Sequence, residues 1–397
     1  WARARAGSVV VGARAAAWGP VTPLGRIVVL DEHDEAYQGE QTPTWNAREV
    51  AIERARRAGV PCLLVSPTPS LEALRWGELV ESPRPVERAG WPRLDVVDQR
   101  ELDPTLGPLF SPALVRLVRS GQRVLCILNR TGRARMLACA SCASLARCGA
   151  CDAAVGQADR SPDSDDGGPD QLACRRCGTE RPVVCLDCGS TAFKQLRLGV
   201  SRAREELEVL AGVPVVEVTG AQEEAPDLGR GGLAIGTEAL LHRVHQADAV
   251  AFLDFDQELL ATRYRTAEQA LGLLARAART VSRQPANKGM ILIQTRTPDH
   301  PVLQAAVHAD PTRFSADEAA LRAALQLPPS SAMAVVSGTG AAAFIESFGQ
   351  PGSLTVQGPV DGAWRLRAPD HQLLCDALAA TPRPPGRLRI EVDPLRM

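Results

Sequence analysis

Four Cys-x-x-Cys pairs packed between Cys139 and Cys188 constrain this chain more than any other feature. They are Cys139/Cys142, Cys148/Cys151, Cys174/Cys177 and Cys185/Cys188, eight of 11 cysteines. A two-residue gap lets both sulfurs of a pair face one tetrahedral ion, so two pairs complete a four-cysteine site. Eight such ligands make two zinc sites. Disulfides are the weaker reading. The opening Trp1-Ala-Arg-Ala-Arg is no secretory signal, and 397 residues bury a core without covalent staples. An opening without Met is expected of a fragment or a misassigned start.

The spacing also bears on which pairs share an ion. Only residues 143–147 separate pairs one and two, whereas 152–173 leave room for a hairpin between pairs two and three. That favours pairs two and three on an inner ion and pairs one and four on an outer one; a cross-braced pairing is the competitor. All-cysteine sites are closed, so the module is expected to act as a rigid platform without zinc chemistry. Cys62, Cys126 and Cys375 stand apart and read as small core residues.

Short apolar runs at 7–11, 26–30, 60–66, 123–128, 213–218, 232–236, 248–254 and 289–295 read as strands. Helical periodicity covers 46–58, 200–211 and 266–283. Continuous Val/Ile/Leu runs alternating with helices predict a parallel α/β sheet covered on both faces. The cysteine block then falls as an insertion in the second half of that pattern. Residues 82–93, rich in Pro and Arg, read as a surface loop or linker, and 159–170 as a flexible acidic loop. Beyond about 305 the texture changes: helices at 315–326 and 370–379, and strands at 333–337, 354–357, 363–367 and 388–392, predict a small α+β domain.

The formal net charge of -1 gives no global basic field, so nucleic-acid contacts must be local. Arg130, Arg133 and Arg135 form one local positive cluster, read equally as a phosphate contact or a solvated face. No apolar run reaches the roughly 18 residues of a membrane span. Asp254 and Asp256 share a strand face and read as a carboxylate metal pair or a strand-end polar network. His242, His245, His300, His308 and His371 show no ligand-like grouping.

Several segments, in order, carry a family resemblance: Leu125-Cys-Ile-Leu-Asn-Arg-Thr-Gly-Arg-Ala, the four cysteine pairs, Leu233-Ala-Ile-Gly-Thr-Glu, Leu292-Ile-Gln-Thr-Arg-Thr-Pro-Asp-His-Pro and Glu391-Val-Asp-Pro. Together they resemble the PriA family of replication-restart factors, superfamily 2 DNA helicases, over essentially the whole chain. The resemblance implies RecA-like lobes of the P-loop NTPase type, a two-zinc insertion and a C-terminal α+β domain. It divides the chain into 1–110, the C-terminal part of the first lobe; 111–137, the start of the second; 138–192, the zinc module; 193–305, the rest of the second lobe; and 306–397, the C-terminal domain. It implies nested zinc pairing, with Cys148, Cys151, Cys174 and Cys177 inside and Cys139, Cys142, Cys185 and Cys188 outside. It also implies ATP with Mg²⁺ as cofactor, and forked and single-stranded DNA as partners. Single-stranded DNA-binding protein and primosome components are further partners it implies, with a cytoplasmic location.

Five motifs depart from the family. No G-x4-G-K-[ST] loop occurs to cradle phosphates; the resemblance puts Trp1 inside the first lobe, which leaves room for such a loop upstream. The metal motif Asp-Glu-Glu-His-Asp, aligned on His33-Asp34, reads Leu30-Asp31-Glu32-His33-Asp34, and Leu has no oxygen for a metal ion. The arginine-finger motif has Thr280 at the first finger and keeps only Arg283. His242-Arg243-Val244 replaces Lys-Gly-His, and Pro67 enters the coupling segment Ser66-Pro67-Thr68-Pro69. The expected function is restart and primosome assembly without a working motor. The alternatives are an active 3'-5' helicase using Asp31, Glu32 or Asp34 in a rebuilt site, and a zinc-ribbon interaction protein.

Overall fold

A computed structural model of the chain describes residues 2–5, 7–101, 109–129, 136–157, 171–195, 200–218, 228–229, 231–281, 283–284, 287–349 and 352–395. The Arg130, Arg133 and Arg135 cluster and the acidic stretch 159–170 lie outside the described residues. Two compact units result, one formed by residues 1–81 with 314–397, the other by 82–313.

The larger unit is built on a six-stranded parallel sheet. Its order is Val215–Val218, Leu233–Gly236, Val124–Ile127, Ala249–Phe252, Met290–Thr295 and Arg93–Asp98. Three of the four inner strands, Leu233–Gly236, Val124–Ile127 and Ala249–Phe252, are buried at every residue, as expected of strands covered on both faces. Their aliphatic side chains join Leu114, Leu117, Ala203 and Leu207 from the helices Pro112–Val118 and Val200–Ala211 in one core. Gly236 ends its strand where any Cβ would lie 2.2 Å from the Val218 carbonyl oxygen, so the adjacent backbone admits only glycine. The cysteine module leaves the sheet after Val124–Ile127 and returns before the helix Val200–Ala211, an insertion behind a central strand.

The smaller unit carries a four-stranded antiparallel sheet ordered Thr355–Val360, Ala363–Ala368, Ala332–Ser337 and Arg389–Val392. The helices Ala341–Phe348 and His371–Ala380 supply Phe344, Phe348 and Leu374 to its core. Thr42 and Thr44 close the edge at Arg389–Val392: their hydroxyls accept from the backbone N–H groups of Ile390 and Val392 at 2.7 and 2.8 Å. The same unit holds a two-stranded parallel sheet, Ile27–Leu30 beside Cys62–Val65.

Three expectations need correction. Residues 7–11 form no strand; Val9 and Val11 are 92% and 91% exposed, so nothing stabilises an extended pair there. Within 82–93, Arg84–Gly90 is a helix, because a proline in the first turn loses no hydrogen bond. Cys375 is exposed rather than in the core, on a helix whose buried face carries Leu374. Cys126 is fully buried, which pushes its thiol up to about 12.

His300 caps the helix Pro301–Val307 by accepting from the Val302 N–H at Nδ1, which requires that nitrogen unprotonated. Burial, reinforced by the charge of Arg147, pushes its pKa down to about 4. The unfolded chain takes up this proton near pH 6.5, so the larger unit loses stability as pH falls from about 6.5 to about 4. His300→Asn keeps a cap without the titration. Denaturant midpoints at pH 7 and pH 4.5 are expected to differ less in the variant than in the parent. Equal differences would remove His300 as the cause.

Candidate metal centres and the nucleotide-site segments

Each cysteine pair closes the same local turn. The first cysteine's carbonyl accepts from the N–H four residues on, in Ala143, Asp152, Gly178 and Gly189, at 2.8–3.1 Å. Its own N–H donates to the carbonyl five residues on, in Ser144, Ala153, Thr179 and Ser190, at 2.8–2.9 Å. Closing the turn so tightly puts the fourth residue at positive φ: 61° and 58° at Ala143 and Asp152, 76° and 74° at Gly178 and Gly189. A Cβ at Gly178 meets nothing within 4 Å, so Gly178→Ala isolates the backbone term. It is expected to cost about 1–2 kcal/mol of module stability, read from chelator-induced unfolding. No measurable loss would show that the turn does not depend on this conformation.

The turns bring the sulfurs together in two groups, Cys139, Cys142, Cys185 and Cys188, and Cys148, Cys151, Cys174 and Cys177. This is the nested arrangement. Within each group all four sulfurs lie within 4.8 Å of one another. Opposing pairs stand at 3.5 Å for Cys139 and Cys188, 3.6 Å for Cys142 and Cys185, and 3.5 Å for both Cys148 to Cys177 and Cys151 to Cys174. A disulfide needs about 2.05 Å. A tetrahedron with zinc–sulfur bonds of about 2.3 Å has an edge of about 3.8 Å. The spacing therefore fits a four-thiolate metal site and excludes disulfide bonds.

The first cysteine of every pair is buried, and the last of each group, Cys177 or Cys188, is exposed. Burial opposes ionisation of Cys139, but the N–H groups of Cys142 and Ser141 and the neighbouring thiols outweigh it and bring it down to about 6. In the same group the Ser190 N–H pulls Cys188 down, but the sulfurs of Cys142 and Cys139 outweigh it and push Cys188 up to about 12, as expected of neighbouring sulfurs that share protons. The inner group has a small core around it, with Leu172, Val155, Ala146 and Ala153 buried and Phe193 packed alongside. The module's root is the antiparallel pair Leu137–Cys139 with Phe193–Gln195, and the Ala154 N–H donates to the Leu260 carbonyl at 3.1 Å.

Among the carboxylates after Ile27–Leu30, those of Glu32 and Asp34 make structural hydrogen bonds. Leu30, at the family's metal position, is 62% exposed and aliphatic. Asp31 turns the chain in the left-handed region, φ 53°, and its carbonyl accepts from the Asp34 N–H. Asp34 caps a short turn by accepting from the Ala36 N–H at 2.8 Å. Glu32 is 2% exposed. One of its oxygens accepts from the Ser70 N–H at 2.7 Å; the other accepts from the Ser70 hydroxyl at 2.7 Å and Arg48 Nη1 at 3.0 Å. His33 Nδ1 meets the Ser66 hydroxyl at 2.7 Å, which ties the motif histidine to the coupling segment.

In the larger unit, Thr280 ends the helix Thr266–Thr280, buried, with its hydroxyl donating to the Arg276 carbonyl. Arg276 Nη1 contacts His242 Nε2. Only the backbone of Arg283 is described, in the short strand Arg283–Gln284. Asp256 is fully buried and accepts from the hydroxyls of Thr295 and Thr297 and the Arg296 N–H at 2.5–3.1 Å. Asp256 opens the helix Asp256–Leu259, beyond the strand Ala249–Phe252, so Asp254 and Asp256 do not share a strand face; Asp256 belongs to a buried polar network, and among the described residues neither joins a metal-binding group.

Sequence reasoning passed over Arg48 and Asn129. Asn129 joins the turn after Leu233–Gly236 to the helix Asp256–Leu259, accepting from the Glu238 N–H and donating to Glu258. It stood inside a quoted motif, but its partners lie over a hundred residues away. Arg48 stood among the many arginines of a helix, with nothing in its spacing to mark it as buried.

No family model matches the chain. Its relatives include the Replication restart protein PriA of Bacillus subtilis, 29% identical over 359 residues, 83% of this chain and 43% of the relative. That of Haemophilus influenzae is 28% identical over 85% of this chain and 48% of the relative. The Probable replication restart protein PriA of Mycobacterium leprae is 30% identical over 390 residues, 93% of this chain and 58% of the relative. The chain thus spans about half the length of the relatives it matches.

Proposed function

For a chain that is PriA-like over most of its length, we propose a role in replication restart: binding DNA at stalled forks and recruiting partners that load the replicative helicase, without motor activity. The six-stranded parallel unit is then a RecA-like lobe carrying a two-zinc platform. The pair Ile27–Leu30 and Cys62–Val65 belongs to the other lobe. The eight cysteines hold two Zn²⁺ ions, which supply folding free energy to a segment with a small core of its own. Thiolate ligands suit a reducing cytoplasm. No helix among the described residues is long and apolar enough to cross a membrane.

The observation that carries the loss of the motor is the use of Glu32. Both its oxygens are taken by Ser70 and Arg48. The neighbouring Leu30 offers no oxygen, and Thr280 sits buried in a helix end where an arginine finger would have to reach outward. These residues do not fit a magnesium-bound nucleotide. Single-stranded DNA-binding protein and primosome components are the partners this role requires.

The test pairs two assays on the purified protein: binding to forked DNA, and ATP hydrolysis with and without that DNA. Fork binding with no DNA-stimulated hydrolysis is expected. Robust stimulated turnover would overturn the motor-free reading in favour of a rebuilt helicase site. Zinc binding with no affinity for forked or single-stranded DNA would leave a zinc-ribbon interaction protein.

A further inference from the structure

The two cysteine groups are alike in geometry but differ in how their exposed sulfurs are protected. The residue two positions after the second cysteine of a pair donates its N–H to that sulfur, and where it bears a hydroxyl it can donate twice. Thr179 does so: its hydroxyl lies 3.1 Å from the exposed Cys177 sulfur of the inner group. The matching residue for the exposed Cys188 of the outer group is Ser190. Its hydroxyl accepts from the Ala192 N–H at 3.2 Å and the Ser141 hydroxyl at 3.1 Å, and only its backbone N–H, not its hydroxyl, bonds to the Cys188 sulfur. Cys188 is therefore exposed with one hydroxyl contact fewer than Cys177. A hydrogen bond to a thiolate withdraws the electron pair it would use as a nucleophile, so the sulfur lacking it is the more reactive.

We infer that Cys188 is the oxidation-sensitive entry point of the module, and that peroxides open the outer metal site before the inner one. This rests on the reading of both groups as zinc sites. The chemistry balances with hydrogen peroxide as oxidant. The Cys188 thiolate attacks one peroxide oxygen; a sulfur–oxygen bond forms, the oxygen–oxygen bond breaks and hydroxide leaves, giving a sulfenic acid. Cys139, whose sulfur is 3.5 Å away, then attacks that sulfur. The sulfur–sulfur bond forms, the sulfur–oxygen bond breaks and a second hydroxide leaves. Two thiolates have lost two electrons in total to peroxide, and Cys142 and Cys185 are too few to keep the ion.

The location gives this step a consequence. Cys139 ends the strand Leu137–Cys139 and pairs with Phe193, so the outer group clasps the two chain segments through which the module joins its unit. Opening it loosens the root, while the inner group keeps its own hairpin and the buried Leu172.

The test follows zinc release from the full chain with a chromogenic chelator during hydrogen peroxide treatment, with disulfides mapped by mass spectrometry. Two phases of one ion each are expected, the faster ahead by about fivefold, the effect of one hydrogen bond, with a Cys139–Cys188 disulfide formed in the fast phase. Thr179→Val is expected to bring the slow phase towards the fast one. Release of both ions at one rate, or a Cys148–Cys177 disulfide forming first, would overturn the inference. A chain isolated with no zinc would sink the metal reading itself, a result separate from the order of release.

Discussion

Replacing Cys185 with Ser is expected to leave one bound metal ion per chain instead of two, and to unfold the root of the module while the six-stranded sheet keeps its structure. Cys185 is buried, and its sulfur lies 3.6 Å from that of Cys142 across the outer group. Its backbone also closes the fourth turn, through bonds to Ser190 and Gly189. A structural four-cysteine zinc site contributes roughly 10–16 kcal/mol to folding. Each fully buried aliphatic side chain contributes about 1.5–3 kcal/mol, and the module has few of them around Leu172 and Val155. The metal is therefore the larger share of what orders this segment. The sheet core around Leu125, Ile235 and Val250 contains none of the ligands, so it does not depend on them. Metal analysis and amide hydrogen exchange read the two effects separately. Two ions retained in Cys185→Ser would show the ligand assignment to be wrong, and lost protection in the strand Val124–Ile127 would show that the module is not separable.

The parallel sheet was legible because buried parallel strands write themselves as continuous apolar runs. Val124–Ile127, Leu233–Gly236 and Ala249–Phe252 each fall inside such a run, too short for a buried helix. The edge strand Arg93–Asp98 was not legible: its charged ends and half-buried pattern carry no such run, and only pairing with Met290–Thr295 makes it a strand. Pro112–Val118 and Pro301–Val307 were missed although each begins with a cap residue before proline, the signal by which such helices can be read. Residues 7–11 erred in the other direction, since an apolar run without a partner has no ladder to join. At the cysteine block, spacing was enough to favour nesting. The placement of the Ser190 hydroxyl was beyond it, because Ser190 meets Ser141 in a turn far away in sequence. The same limit hid Arg48. Sequence named Glu32 as a candidate catalytic carboxylate, and its burial against a cation sixteen positions along is a property of the folded chain alone.

That buried pair gives the second large effect. Arg48→Met is expected to destabilise the smaller unit by about 3–5 kcal/mol, the usual cost of leaving a buried charge uncompensated. The side chains of Glu32 and Arg48 are 1% and 7% exposed, and Arg48 also donates to the Ser70 hydroxyl at 2.9 Å. Removing the guanidinium strands the Glu32 carboxylate with only the two Ser70 donors, where water cannot replace what is lost. Arg48→Met is therefore expected to do far more harm than Arg57→Met on the same helix, whose guanidinium is exposed and pairs with Glu53 at the surface, where such pairs contribute about 0–1 kcal/mol. Denaturant unfolding of the two variants measures the contrast; equal losses would mean that Glu32 and Arg48 are not a structural strut. The functional counterpart follows from the same geometry. If Glu32 braces the chain between Arg48 and Ser70, restoring a carboxylate at the exposed end of the strand does not rebuild a hydrolytic centre. Leu30→Asp is accordingly expected to leave ATP hydrolysis at the level of the parent protein. A gain in DNA-stimulated hydrolysis from that single change would show Glu32 to be exchangeable between strut and catalyst, and the motor to be one substitution from working.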